Sequence, residues 1–92
     1  MTQKTLFSSN LTLEEAKELI KNGADVNEID MYGATPLFQV SNIDIVRLLI
    51  QNNANVNHLL TSSGETPLFY ANNIEIVELL IKYGLLIYKF FK

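Results

Sequence analysis

His58 is the only imidazole in the 92-residue chain, and no cysteine accompanies it. One His cannot supply the ligand set of a zinc site, and without a thiol there is neither a disulfide framework nor a thiolate nucleophile. His58 stands in a loop-like stretch just after Asn57, with no carboxylate or hydroxyl that the sequence places beside it. It therefore reads as a solvent-exposed loop residue rather than a general base. Asp25, Asp30 and Asp44 read as loop and cap residues, and Glu14, Glu15 and Glu18 as one charged, solvated helix face. Neither paired carboxylates, a Gly-rich phosphate loop nor a Ser/His/Asp set can be assembled. The expectation is a protein that is not an enzyme and holds no metal or cofactor.

Seven Lys and Arg against ten Asp and Glu give a net charge of −3 and a pI near 4.9. A phosphate backbone is recognised by clustered cations, so nucleic acid is an unexpected partner. The N-terminus lacks the apolar core and small-residue cleavage site of a secretory signal, which makes the cytoplasm the expected address. The most apolar stretch, Leu79 to Phe91, is interrupted by Lys82, Gly84 and Lys89 and is shorter than the roughly 20 apolar residues of a spanning helix. No membrane span is expected.

The elements that must position these residues are written as a repeat. Gly33 to Ile50 reads GATPLFQVSNIDIVRLLI and Gly64 to Ile81 reads GETPLFYANNIEIVELLI, identical at 12 of 18 positions with a shift of 31. A second echo, NGADVN at 22–27 against NNANVN at 52–57, keeps four of six residues at a shift of 30, which places a one-residue insertion in the loop at Ser62-Ser63. Such a period means stacked, similar units. Thr35-Pro36 and Thr66-Pro67 predict helix starts, each with its Thr hydroxyl capping the first turn, and short helices over about 36–41 and 67–72. Asn42 and Asn73 cap second helices over about 43–52 and 74–83, whose apolar residues leave almost no polar face. Gly23, Asn53 and Gly84 fall where a left-handed stop is required. Thr12 with Glu15 predicts a capping box opening a helix to about Lys21, and Thr5 to Asn10 a damaged short helix ahead of it.

The chain resembles the ankyrin repeat family in Gly33-Ala34-Thr35-Pro36-Leu37, Gly64-Glu65-Thr66-Pro67-Leu68, Gly23-Ala24-Asp25-Val26-Asn27 and the Ile-Val-x-Leu-Leu runs. The resemblance implies an all-α helical solenoid of about three short helix-pair repeats, with units near 4–29, 30–60 and 61–92 in one domain. It implies that Asp25, Asn27, Asn55 and Asn57 tie each turn to its neighbours. The family usually carries His after Thr-Pro-Leu; Phe38 and Phe69 stand there instead. Where Ala-Asp-Val-Asn is expected after Gly84, the chain reads LLIYKFFK.

The resemblance also implies a protein partner, held by the turns. Apolar residues sit in those turns, where polar ones are usual. Glu28, Ile29, Met31 and Tyr32 on the first turn, His58, Leu59, Leu60 and Ser63 on the second, and Tyr70 beyond it are the expected partner-binding residues. The function expected is a binding module, with a dedicated inhibitor such as a small immunity or antitoxin protein, or a fragment of a longer ankyrin scaffold, as the alternatives. The apolar tail, residues 85–92, is expected to be ordered, with continued helix favoured over strand, capping the third unit or pairing with a second copy.

Overall fold

The computed structural model describes residues 3–90, with side chains through Gly84. Helix α1 spans Leu13–Lys21, a single 3-10 turn spans Pro36–Phe38, and α2 spans Ile43–Gln51. The short α3 covers Pro67–Tyr70 and the long α4 covers Ile74–Phe90. Strands are absent among the described residues. Helix α2 packs between α1 and α4, while the 3-10 turn lies against α3, so that each helix pair leans on its sequence neighbour. The core is the seam between these layers, formed by Leu6, Ala16, Val26, Leu37, Ile45, Val46, Leu49, Ala54, Val56, Ile76 and Leu80.

Helix entry and exit follow from a few side chains. Thr12 Oγ1 accepts from the Glu15 N–H at 3.1 Å, and Glu15 Oε1 accepts from the Thr12 N–H at 2.9 Å, which completes the capping box. The Lys4 ammonium, 2.6 Å from Glu15 Oε2, together with the Thr12 N–H, holds the Glu15 carboxyl below its ordinary value. A depressed carboxyl stabilises the fold above the unfolded-state value, and this contribution is lost as pH falls through the depressed one. Asn42 Oδ1 accepts from the N–H groups of Asp44 and Ile45, and Asn73 Oδ1 from that of Glu75, as caps of α2 and α4. Gly23 at φ 99° and Asn53 at φ 71° then end α1 and α2 in the left-handed region.

Gly84 does not stop α4, contrary to its position in the repeat. After Asn53 the chain offers Ala54-Asn55-Val56-Asn57, and Asn55 Oδ1 turns back to accept from the Asn57 N–H at 2.9 Å. After Gly84 come Leu85, Leu86 and Ile87, which have no side chain able to form that turn. Continuing the helix costs about 1 kcal/mol for one interior Gly, less than leaving a turn unsupported. The backbone therefore continues as helix to Phe90 and does not double back over Ile76, Val77 and Leu80. The side-chain packing of 85–92, and any pairing of two copies through that tail, lie outside the described residues.

The Thr-Pro starts also differ from expectation. The helices they open are 3 and 4 residues long, and neither Thr side chain caps its helix. The Phe38 N–H, which the Thr35 hydroxyl would have capped, is used by the Thr35 carbonyl at 3.1 Å in the tight 3-10 turn. Thr35 is buried and its Oγ1 has no hydrogen-bond partner among the described residues. A buried hydroxyl left unpaired is destabilising, so Thr35→Val is expected to stabilise the fold by about 1 kcal/mol and raise the melting midpoint by about 4–8 °C. A lower midpoint would show that the hydroxyl is satisfied in solution. Residues 5–10 form turns rather than the expected short helix, with the Ser8 N–H bonded to the Thr5 carbonyl. Gln39 Nε2 anchors this segment by donating to the Phe7 carbonyl.

Candidate functional site

Two turns stand side by side, Val26 to Thr35 and Val56 to Thr66, and each is locked from within. In the first, Asp30 Oδ1 accepts from the N–H groups of Tyr32 at 2.8 Å and Ala34 at 3.0 Å, while the Asp30 N–H donates to the Ala34 carbonyl. The clamp is carried by Asp30 and backbone alone, so Met31 and Tyr32 are left to project. They are 85% and 70% exposed. The second turn is one residue longer, as the two repeat shifts imply. Ser63 replaces the clamping carboxylate, donating to Glu65 Oε1 at 2.9 Å, and Leu60 pairs with Glu65 through backbone.

Asn27 joins the turns to the helix ends. Its Nδ2 donates to the Asn53 carbonyl at 3.0 Å and its Oδ1 accepts from the Asn55 N–H at 2.7 Å. Asp25 and Asn55 act within their own turns, each accepting from the N–H two residues on. The Asn57 side chain faces Gly84, its Oδ1 3.5 Å from where a Cβ on that glycine would stand.

His58 corrects the expectation of a free loop residue. Its ring is half-buried, with Nε2 2.8 Å from the Gly33 carbonyl of the preceding turn. A carbonyl only accepts, so Nε2 carries the hydrogen. The ring meets Phe38 edge-on at 6.1 Å. Phe38 stands where the family resemblance implies a turn-linking His; His58, one turn later, links the two turns from the other side. The clue in the sequence was that the chain's single His lies in the turn that follows the substituted position.

The expected partner-binding residues fall into three groups. Glu28, Ile29, Met31 and Tyr32 share the first turn and are exposed; Leu59 is exposed on the second. Leu60 is half-buried, and Ser63 spends its hydroxyl on Glu65. Tyr70 lies apart on α3, its hydroxyl donating to Glu65 Oε1 at 2.6 Å. That bond to a carboxylate, with partial desolvation, raises the Tyr70 phenol above its ordinary value. Between the two turns runs an open groove of about 430 Å³ lined by Ile29, Met31, Tyr32, Gly33, Thr61 and Ser62 among others. A row of edge-to-face aromatics, Phe38 to Tyr70 at 5.8 Å and Tyr70 to Phe69 at 5.3 Å, continues along the short helices. Phe69 was not among the residues expected at the surface, although its side chain is exposed.

The arrangement offers surface rather than reactive groups. A hollow of about 700 Å³ between residues 6–13 and 39–45 has no Asp, Glu, His, Lys or Arg in its lining. It therefore lacks a side chain for acid–base work. Among the described residues no three His, Asp or Glu come close enough to hold a metal ion, and no helix is long and apolar enough to cross a membrane.

No curated protein matches the chain. A family model described as ankyrin repeats, in three copies, matches residues 6–89. With left-handed stops at Gly23 and Asn53, Asn-capped helices and helix pairs stacked in sequence order, the chain belongs to the ankyrin repeat family.

Proposed function

We propose that the chain is a non-enzymatic module that holds a partner protein across the tips of its two turns. The observation that carries this reading is the exposure of Ile29, Met31, Tyr32 and Leu59 on turns whose backbones are already fixed. Apolar and aromatic side chains on a pre-ordered support are the usual anchors of an interface, because little conformational freedom is lost on docking. The exposed Glu28, Thr61 and Ser62 supply a polar rim. His58 supports the site from beneath through Gly33, and Tyr70 and Glu65 extend it along α3. We assign the protein to the cytoplasm, where a fold without cysteine needs no oxidative cross-links.

Replacing Met31 and Tyr32 together by Ser is expected to weaken partner binding by about 2 kcal/mol or more, close to 30-fold, with little change in melting temperature. The stability half of this expectation follows from Asp30, which holds the turn whatever stands at 31 and 32. Affinity capture from an extract of the source cells, run with both chains in parallel and followed by calorimetry on the captured protein, is the measurement. Undiminished binding by the variant would exclude this face.

A further inference from the structure

We infer that the partner presents a basic, arginine-bearing segment to the first turn and the groove beside it. The inference rests on the turn tips being the binding face, and it names the chemistry of what they hold. The internal repeat supplies the control. The Glu28 N–H donates to the Asp25 carbonyl and the Asp30 N–H to the Ala34 carbonyl, just as the His58 N–H donates to the Asn55 carbonyl and the Leu60 N–H to that of Glu65. At this shift of 30, Asp25, Glu28 and Asp30 correspond to Asn55, His58 and Leu60. The same backbone bonds therefore form without any of the three carboxylates. Asp25 Oδ1 accepts from the Asn27 N–H at 2.9 Å, and the Asn55 amide oxygen does the same for Asn57 at 2.9 Å. Three negative charges so close together repel one another, and the turn's backbone does not require them.

No cation of the chain answers them. Neither Lys nor Arg occurs between Lys21 and Arg47, or again between Arg47 and Lys82. The second turn adds only Glu65 and His58, whose Nε2–H is held by the Gly33 carbonyl. The two ion pairs among the described residues, Lys4 with Glu15 and Lys17 with Glu14, both involve α1. Negative charge thus lies on the same turn as the exposed Ile29, Met31 and Tyr32, and Asp30 itself lines the groove. Its Oδ1 is spent on the Tyr32 and Ala34 N–H groups, while Oδ2 makes no hydrogen bond among the described residues. Such a face repels a phosphate backbone, an anionic membrane surface or an acidic protein, and draws in a cationic segment. The ring decides which cation. A guanidinium stacks on a Tyr face and donates to a carboxylate at once, whereas an ammonium is more strongly hydrated and cannot stack. Ile29 and Met31 are left for the apolar neighbours of that arginine.

The probe is a short peptide of alternating arginine and leucine, titrated into the intact chain and followed through its amide resonances by two-dimensional NMR. It is expected to shift the amides of residues 28–33 and 61–62. The lysine counterpart is expected to bind several-fold more weakly, and the glutamate counterpart to shift none of them. Raising salt from about 50 to about 500 mM is expected to weaken the arginine peptide at least about fivefold. Asp25→Asn, Glu28→Gln and Asp30→Asn together keep each turn-forming Oδ1 and remove the charge. This variant is expected to lose at least about fivefold in affinity with its helical circular dichroism intact. Glu28→Gln alone, on an exposed side chain without a hydrogen bond among the described residues, is expected to lose about twofold. Shifts absent from the turns, equal binding of the arginine and glutamate peptides, indifference to salt, or full binding by the neutralised chains would each overturn the proposal. Equal binding of the lysine peptide would overturn the choice of arginine. The turn-tip reading is judged separately, on the captured partner. A partner lost by the Met31 and Tyr32 replacements but indifferent to salt and to the three neutral ones would leave that face standing and remove the basic segment.

Discussion

Leu49→Ala is expected to cost about 3–4 kcal/mol, a large share of the roughly 5–14 kcal/mol available to a chain of this size. Leu49 is 0% exposed and stands on α2, the one helix that packs on both α1 and α4. Truncating it removes three carbons from the seam on which both outer layers depend, and helices this short cannot close the gap without losing their caps. Leu80, its counterpart in α4, is nearly as buried but belongs to a pair that among the described residues is covered on one side only, so Leu80→Ala is expected to cost about 1 kcal/mol less. Urea titrations followed by helical circular dichroism decide both points. Equal losses at the two positions would show that the stack is not centred on α2. A Leu49→Ala transition that split in two would show that the outer layers fold independently, against the nearest-neighbour coupling expected of repeats.

What the sequence made legible was whatever two copies say twice. The helix pair, the Asn caps, the left-handed stops at Gly23 and Asn53 and the inserted residue in the second turn follow from the 31- and 30-residue shifts, because equivalent residues face equivalent surroundings. The misses arise where the copies or their surroundings differ. Gly84 was read as a stop from Gly23, but a stop also needs the Asx turn that follows, and residues 85–87 cannot make one. The Thr35 hydroxyl was read as a cap because the length of its helix was unknown; in a single 3-10 turn the backbone carbonyl reaches the N–H first. His58 was read as free because its partner is a carbonyl 25 residues away, and a carbonyl leaves no mark in the sequence. Exposure of Ile29, Met31, Tyr32 and Leu59 was legible from apolar residues in turns. Exposure of Leu68, Phe69 and Ile74 was not, since each is identical to a covered counterpart and differs only in having no described neighbour outside it.

Gly33→Ala is expected to cost about 3 kcal/mol and Gly64→Ala only about 1, although the two glycines have nearly the same backbone. Gly33 has φ 77° and Gly64 φ 73°, so the left-handed penalty for a Cβ is shared. Their surroundings differ. A Cβ on Gly64 meets nothing within 4 Å, while one on Gly33 runs into the Thr61 hydroxyl and lies 3.2 Å from Thr61 Cβ. Thr61 belongs to the second turn, and relieving the overlap means pushing the two turns apart. That motion also stretches the 2.8 Å contact from His58 Nε2 to the Gly33 carbonyl, so two links between the turns weaken together. The groove lined by Met31, Tyr32, Thr61 and Ser62 runs across this junction. Gly33→Ala should therefore lower partner affinity as well as stability, whereas Gly64→Ala should leave affinity unchanged at temperatures where it is folded. Thermal unfolding of the two variants isolates packing from backbone strain, and adding Thr61→Ser to Gly33→Ala is expected to return little, because the hydroxyl and Cβ that Gly33 faces both remain. Thr61→Gly in the same background removes them, and recovery there of about half the loss would place the cost at the contact between the turns.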